Sequence, residues 1–135
     1  MMIIDGRGAI AGRLAAYAAK QALLGKQVVI VNAEEIAISG DVLSIRKTYF
    51  QRRRMQNKAD PEKSAKWPRT PYMLFKRIIR GMVPKHSARG KTALEKIMVY
   101  SAVPKEYEGK AEPFRETVQK LHCKYVTLKN LKNSI

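Results

Sequence analysis

The stretch IIDGRGAIAGRLAAYAAKQALLGKQVVIV, Ile3–Val31, constrains the fold more than any other part of the chain. A short apolar run, Met2–Ile4, enters a glycine turn. A helix follows over about Ile10–Leu24, closed by Gly25, and then comes the unbroken apolar run within Gln27–Asn32. A Val/Ile run without polar alternation suits a strand buried on both faces of a parallel sheet. Parallel neighbours need a crossover connection, and the intervening helix supplies it. Leu14, Ala15, Ala18 and Ala22 share one helical face, small enough for close packing on a sheet, while Arg13, Tyr17 and Lys20 fall on another. The stretch therefore reads as a βαβ unit.

Its glycine turn leaves three readings open. Gly6, Gly8 and Ala11 fit the pattern G-x-G-x-x-G/A, and Glu34 and Glu35 lie where a ribose-binding acid would follow the second strand, so the turn could cradle a pyrophosphate. Arg7 and Arg13 bracket it and would equally suit a phosphate of a nucleic acid backbone. The third reading is a plain strand-to-helix turn. Length weighs against the first: 135 residues hold one domain with a core, with hardly room for two βαβαβ halves and a catalytic domain.

Beyond Gly40, Ser39 or Asp41 caps a second helix on which Val42, Ile45 and Tyr49 repeat at helical spacing and whose end is strongly basic. Gln56–Thr70 loses periodicity and reads as a loop or extension. Order returns with Thr70 as a cap and Pro71 in the first helical position, in a helix ended by Gly81 with Leu74, Phe75, Ile78 and Ile79 as its buried stripe. Met82–Lys91 reads as a loop, with backbone freedom at Gly81 and Gly90 and a stiffener at Pro84. A short helix through Ala93–Lys96 leads into a strand at Ile97–Tyr100, and a last strand is expected at Lys124–Leu128. The pattern gives a layered α/β domain on a four-stranded parallel or mixed sheet.

The net charge is +16, and it is segregated. Residues 1–45 balance 4 bases against 4 acids, whereas residues 46–91 carry 15 bases and only Asp60 and Glu62. A helix stabilising itself would place acids three or four residues from Arg46, Lys47, Arg52, Arg53 and Arg54; none is there. Arginine outnumbers lysine in that run, which suits bidentate phosphate contacts. Lys58, Lys63, Lys66, Arg69, Arg77 and Arg80 continue the basic series, so residues 46–91 point to a nucleic acid. Interleaved aromatics could stack on unpaired bases. Tyr49, Tyr72 and Phe75, at helical spacing, read as core, and Trp67, between Lys66 and Pro68, reads either as a base or sugar contact or as packing. Gln56–Thr70 has too few apolar residues to offset its own ordering entropy and is expected to order only against RNA.

Nothing suggests catalysis. His86, His122 and Cys123 lack zinc-ligand spacing, Ser87 belongs to no nucleophile motif, and Glu34 and Glu35 have no second acidic cluster to complete a metal site. Cys123 reads as a small buried hydrophobe. A single cysteine fits a reducing compartment, no apolar run reaches membrane-spanning length, and the start MMIIDGRG lacks signal-peptide features, so a cytoplasmic protein without cofactor, metal, membrane contact or small-molecule substrate is expected. Two rival classes are a nucleotide-dependent enzyme, whose cofactor binding would depend on Gly8, and a DNA-binding protein, disfavoured by the lack of a helix-turn-helix or zipper.

Three segments in order, Ile4–Gly40, Arg80–Tyr100 (RGMVPKHSARGKTALEKIMVY) and the following VPKEYEG, resemble the universal L-thirteen family of large-subunit ribosomal proteins. RRRMQNKADPEKSAKWPRTP is similar to its archaeal and eukaryotic branch. Val83 stands where the family usually has leucine. The resemblance covers about Ile4–Leu128. It implies a three-layer α/β/α fold, a structural rather than catalytic role, large-subunit rRNA and neighbouring ribosomal proteins as partners, and a part in subunit assembly. It places RNA contacts at Arg80, Lys85, His86, Arg89 and Lys91, and at Arg46–Arg54 with Lys66, Trp67 and Arg69. The expectation is one domain over 1–135 with an rRNA-binding region at about 46–91.

Overall fold

The computed structural model describes residues 1–133, so the last two residues of the expected 1–135 unit lie outside the described residues. The elements run β1 (Met2–Asp5), α1 (Ala11–Leu23), β2 (Val28–Val31), β3 (Ala37–Ser39), α2 (Val42–Arg54), α3 (Pro71–Met82), α4 (Ala88–Glu95), β4 (Ile97–Val99), β5 (Glu112–Pro113), β6 (Tyr125–Thr127) and α5 (Leu128–Asn133).

The βαβ unit forms as its sequence demands. β1 pairs in parallel with β2 from Met2 opposite Val28 to Asp5 opposite Val31, and β2 pairs in parallel with β4 on its other edge. β5 joins β1, also in parallel, opposite Ile4 and Asp5, giving the order β4-β2-β1-β5. Of the parallel and mixed alternatives, the sheet is parallel. Every residue of β2 is buried. Val28 and Ile30 face a cluster built with Ala15, Ala18 and Ala22 of α1, Leu74, Phe75 and Ile79 of α3, Ala93 of α4, and Leu128 and Leu131 of α5. Val29 and Val31 face the other way, with Ile3, and are covered by Tyr100, Val103, Tyr107 and Ala111. The result is a three-layer α/β fold whose second outer layer is the segment after β4, with one helical turn at Lys105–Tyr107.

Several local expectations need correction. The strand at Tyr125–Thr127 does not enter the main sheet: β6 pairs antiparallel with β3, a strand the sequence reading misses, in a separate two-stranded sheet. The fourth main strand is β5, only two residues long and exposed, too short to carry a periodic signature. α4 begins at Ala88, inside the expected loop, because the Ser87 hydroxyl accepts from the Gly90 N–H (3.2 Å) and caps the helix. Gly90 therefore does not serve flexibility. A Cβ there would lie 2.1 Å from the Pro84 carbonyl oxygen, so glycine is required by close approach. Gly81 sits within α3, which runs on to Met82.

Asp41 is the cap of α2, accepting from Ser44 N–H at 3.1 Å, whereas Thr70 occupies the cap position of α3 without a side-chain capping bond. Cys123 is exposed rather than buried. Of the aromatics assigned to the core, Phe75 is fully buried, Tyr49 packs partly against the core, and Tyr72 is exposed.

The two kinds of glycine give a direct test. Gly90→Ala should destabilise the purified chain by about 1–3 kcal/mol through overpacking against Pro84. Gly12→Ala, on the exposed side of α1 with open space around its Cβ, should leave stability unchanged or raised by about 0.5 kcal/mol in the same urea titration.

Candidate nucleic-acid interface

α2 buries none of its residues fully; among its hydrophobic side chains, Ile45 and Tyr49 rest against the described core. Its cations are organised by rings and carbonyls instead of carboxylates. The Arg52 guanidinium carbon lies 4.9 Å from the Trp67 ring centroid and 5.5 Å from that of Tyr49. Arg77, from α3, lies 3.9 Å from the same Trp67 ring and donates through Nη1 to the Lys66 carbonyl at 3.0 Å. Arg53 donates to the Pro68 carbonyl at 3.3 Å, and Tyr49 meets Trp67 edge to face at 6.3 Å. These bonds clasp Lys66–Pro68 between α2 and α3. Trp67 thus packs partly against the core, and this end of the Gln56–Thr70 extension, expected to order only against RNA, is instead held by the chain's own guanidinium groups.

The same crowding shows in the ionisation of the cluster. Burial pushes the Tyr49 phenol up, against the pull of Arg52 and Arg53. Burial pushes the Arg53 guanidinium down, and the neighbouring Arg69 charge pushes it the same way. Arg53 is turned partly inward: among the described residues its Nε and Nη1 are buried without a partner, as is Nε of Arg46.

Beside Trp67 opens a pocket of about 500 Å³ with Pro68, Met73 and Leu94 in its wall and Lys66, Lys76, Arg77 and Arg80 around them. A second recess of about 220 Å³ shares Trp67, Arg77 and Arg80 and reaches Lys85. Lys76, Met73 and Leu94 are not among the contacts expected from the sequence. The signal is present, since Met73, Lys76, Arg77 and Arg80 follow three- and four-residue steps on α3.

The other expected contacts are spread more widely. Lys47 and Arg54 line a separate groove of about 710 Å³ with Phe50 and Met55, with Arg54 stacked 5.3 Å from the Phe50 ring. His86 is exposed between α3 and α4. Arg89 and Lys91 are exposed on α4, where Arg89 donates to the Leu23 carbonyl at the end of α1 (3.4 Å), favourable for a cation at a helix C-terminus. Among the described residues, Lys63, paired with Asp60 at 3.0 Å, is the one base of the 46–91 region with a carboxylate within 4.0 Å.

At the glycine turn the charges are paired: Arg7 with Asp5, and Arg13 with Glu116, which also lies 3.8 Å from Lys120. The turn's amides are also engaged. Gly6 donates to Val31, Arg7 to the Asp5 carboxylate, Gly8 to Glu35, Ala9 to Gly6 and Ile10 to Glu116. Gly6 is fixed by space, because a Cβ would stand 2.9 Å from the Val31 carbonyl oxygen, and Gly8 by its φ of +60°. The structure therefore favours the plain-turn reading over a pyrophosphate cradle. Among the described residues no three His, Cys, Asp or Glu side chains gather as a metal site would need, and no helix is long and apolar enough to cross a membrane.

Fold and surface together define a basic α/β scaffold whose cations are held in place without being neutralised, a surface chemically suited to a polyanion. Comparison with known proteins gives the family. Residues 1–106 match the family model described as ribosomal protein L13. The chain is 43% identical over 113 residues to the large ribosomal subunit protein uL13 of Aeropyrum pernix, covering 81% of this chain and 71% of that protein. It is 37% identical over 131 residues to uL13 of Archaeoglobus fulgidus (93% and 81% covered), and 42% identical over 106 residues to uL13 of Methanocaldococcus jannaschii (78% and 77%). The chain belongs to the ribosomal protein L13 family, and its role is structural, not enzymatic.

The Tyr49 environment is open to measurement. In an alkaline difference titration against Tyr49→Phe, Tyr49 should ionise above the usual 10.0, and Arg52→Ala should raise its midpoint further, since a cation that favours the phenolate is removed. The fold favours the neutral phenol, so the parent's stability relative to Tyr49→Phe should be constant below pH 10 and fall above it.

Proposed function

We propose that this chain is a cytoplasmic structural protein of the large ribosomal subunit that binds large-subunit rRNA through the face built by residues 46–91 and assists subunit assembly. The whole 1–135 chain acts as one unit in this reading, with other large-subunit proteins as neighbours. The observation that carries it is the Trp67 cluster: Arg52 and Arg77 stacked on one ring, Arg80, Lys76 and Lys66 around the adjoining pocket, and no carboxylate among the described residues that line it. The family membership and the large-subunit role in the names of the archaeal relatives support the same partner.

The mechanism is electrostatic positioning. Guanidinium and ammonium groups replace condensed cations around RNA, and the released ions supply most of the affinity. With about eight phosphates engaged by the middle bases, the log-log dependence of binding on salt has a slope of about −6 on single strands. Recognition is of RNA shape and junctions, because the deep, narrow major groove of A-form RNA hides its base edges. Arg52, Arg77, Arg80, Lys66, Lys85 and Trp67 form the centre of the interface. Arg46, Lys47, Arg53, Arg54 and Arg69 extend it along α2, and His86, Arg89 and Lys91 extend it towards α4. Arg7 and Arg13, already paired with acids, contribute least.

The Arg52→Ala/Arg77→Ala/Arg80→Ala variant should bind large-subunit rRNA in a filter assay with a salt slope shallower by about 2, since each phosphate no longer neutralised takes about 0.7 from the slope. It should also fail to co-sediment with large subunits at raised salt. Arg7→Ala/Arg13→Ala should change neither readout appreciably. An unchanged slope in the triple variant would remove the basic face from the reading.

A further inference from the structure

The pocket beside Trp67 has more than a cationic surface needs. A phosphate backbone asks for charge, whereas this recess of about 500 Å³ has Pro68, Met73 and Leu94 in its wall. Met73 is a large apolar side chain left half exposed, on the same side of α3 as Arg77 and Arg80. The volume falls within the range of small-molecule sites, which pair an apolar lining with a few placed polar groups. It exceeds what a phosphate group fills and accommodates a nucleobase with its sugar.

Arg77 supplies the feature that selects for a flat ligand. The Trp67 ring packs against its guanidinium at 3.9 Å, and the Lys66 carbonyl takes one of its N–H groups, so the plane is held at both a face and an edge. A guanidinium fixed in this way offers its remaining face as a stacking surface, and bases stack on arginine planes as well as on aromatic rings. Lys66, Lys76 and Arg80 line the same pocket and can take a phosphate of the nucleotide whose base lies inside.

We infer that the pocket formed by Trp67, Pro68, Met73, Arg77, Arg80 and Leu94 receives one unstacked nucleotide of RNA, its base on the Arg77 plane and against Met73, its phosphate on Arg80 and the neighbouring lysines. This rests on the rRNA-binding reading and adds a site that reads an extruded base rather than charge alone. Trp67 then works as a positioning residue: it does not itself stack on the base but holds Arg77 flat.

Two ligands separate the base from the charge: large-subunit rRNA and inorganic polyphosphate, which is anionic but has no bases. Met73→Trp fills the pocket mouth at a half-exposed position and removes no cation. It should weaken rRNA binding about tenfold, within the range expected for one base-stacking interaction, with an unchanged salt slope and unchanged polyphosphate binding. Arg80→Ala should weaken both ligands and lower the salt slope. Ultraviolet crosslinking of the protein–rRNA complex, followed by peptide mass spectrometry, should give a base adduct within residues 66–80. Equal rRNA binding by Met73→Trp and the parent would overturn the pocket while leaving the basic face intact, as would equal weakening on both ligands or base adducts confined to other peptides. If the parent itself shows no salt-dependent binding to rRNA, the rRNA reading and the pocket fall together.

Discussion

Strand β2 is bonded along both edges and buried on both faces, so it can exist only where two layers meet a sheet already extended on either side. Each neighbour follows from that requirement. The edges take β1 and β4 in parallel, and parallel pairing forces the α1 crossover. One face needs a helix that can come close, which the alanines of α1 provide, and α3 then packs on α1 and the sheet through Leu74, Phe75 and Ile79. Once α3 is fixed by its apolar side, Met73, Arg77 and Arg80 are left outward, and residues 66–68 are brought against them. The cationic surface is thus positioned by a hydrophobic requirement on the far side of the same helix.

What holds that surface together is as informative as its charge. A carboxylate beside Arg52 or Arg77 would fix the guanidinium and cancel its charge together. Rings and carbonyls fix it and leave the charge intact. A cation over an aromatic ring gains about 0.5–1 kcal/mol at an exposed site, and a carbonyl bond adds a comparable amount, enough to bias a side chain without neutralising it. Arg53 marks the cost of such an arrangement, its guanidinium partly desolvated and pressed by Arg69. Because like charges gathered in this way repel, the cluster works against the compact state that the apolar side of α3 imposes.

The elements legible in the sequence are those whose own residues carry the signal. The Val/Ile run of β2, the alanine face of α1, the cap at the head of α2, and Pro71 with its apolar stripe in α3 each encode a local demand, and each forms close to where expected, with Asp41 rather than Ser39 as the cap and Ile78 only partly buried. The misses have a common cause. β3 and β5 are two or three residues long and owe their existence to distant partners. Gly90 reads as a hinge because glycine is permissive, but its reason lies in the carbonyl of Pro84, which only folding brings near. The basic region is readable as a tally of missing acids. The pocket is not, since it joins Trp67 and Pro68 of the extension to Met73 and Arg77 of α3 and Leu94 of α4.

The glycine turn shows why spacing alone does not decide its role. In a phosphate cradle the backbone amides after the strand point at the ligand. Here the chain spends them on itself, and the acceptors at Glu35 and Glu116 stand far from the turn in sequence. The Glu116 carboxylate also lies beside Arg13, so the segment that supplies a backbone acceptor supplies the local anion too. On the α2–α3 face the balance runs the opposite way: donors abound and, among the described residues, nearby carboxylates are lacking. A glycine motif with satisfied amides serves the fold, while a cationic cluster without acids keeps its charge uncompensated. The difference between the two is set by where the acceptors lie in space.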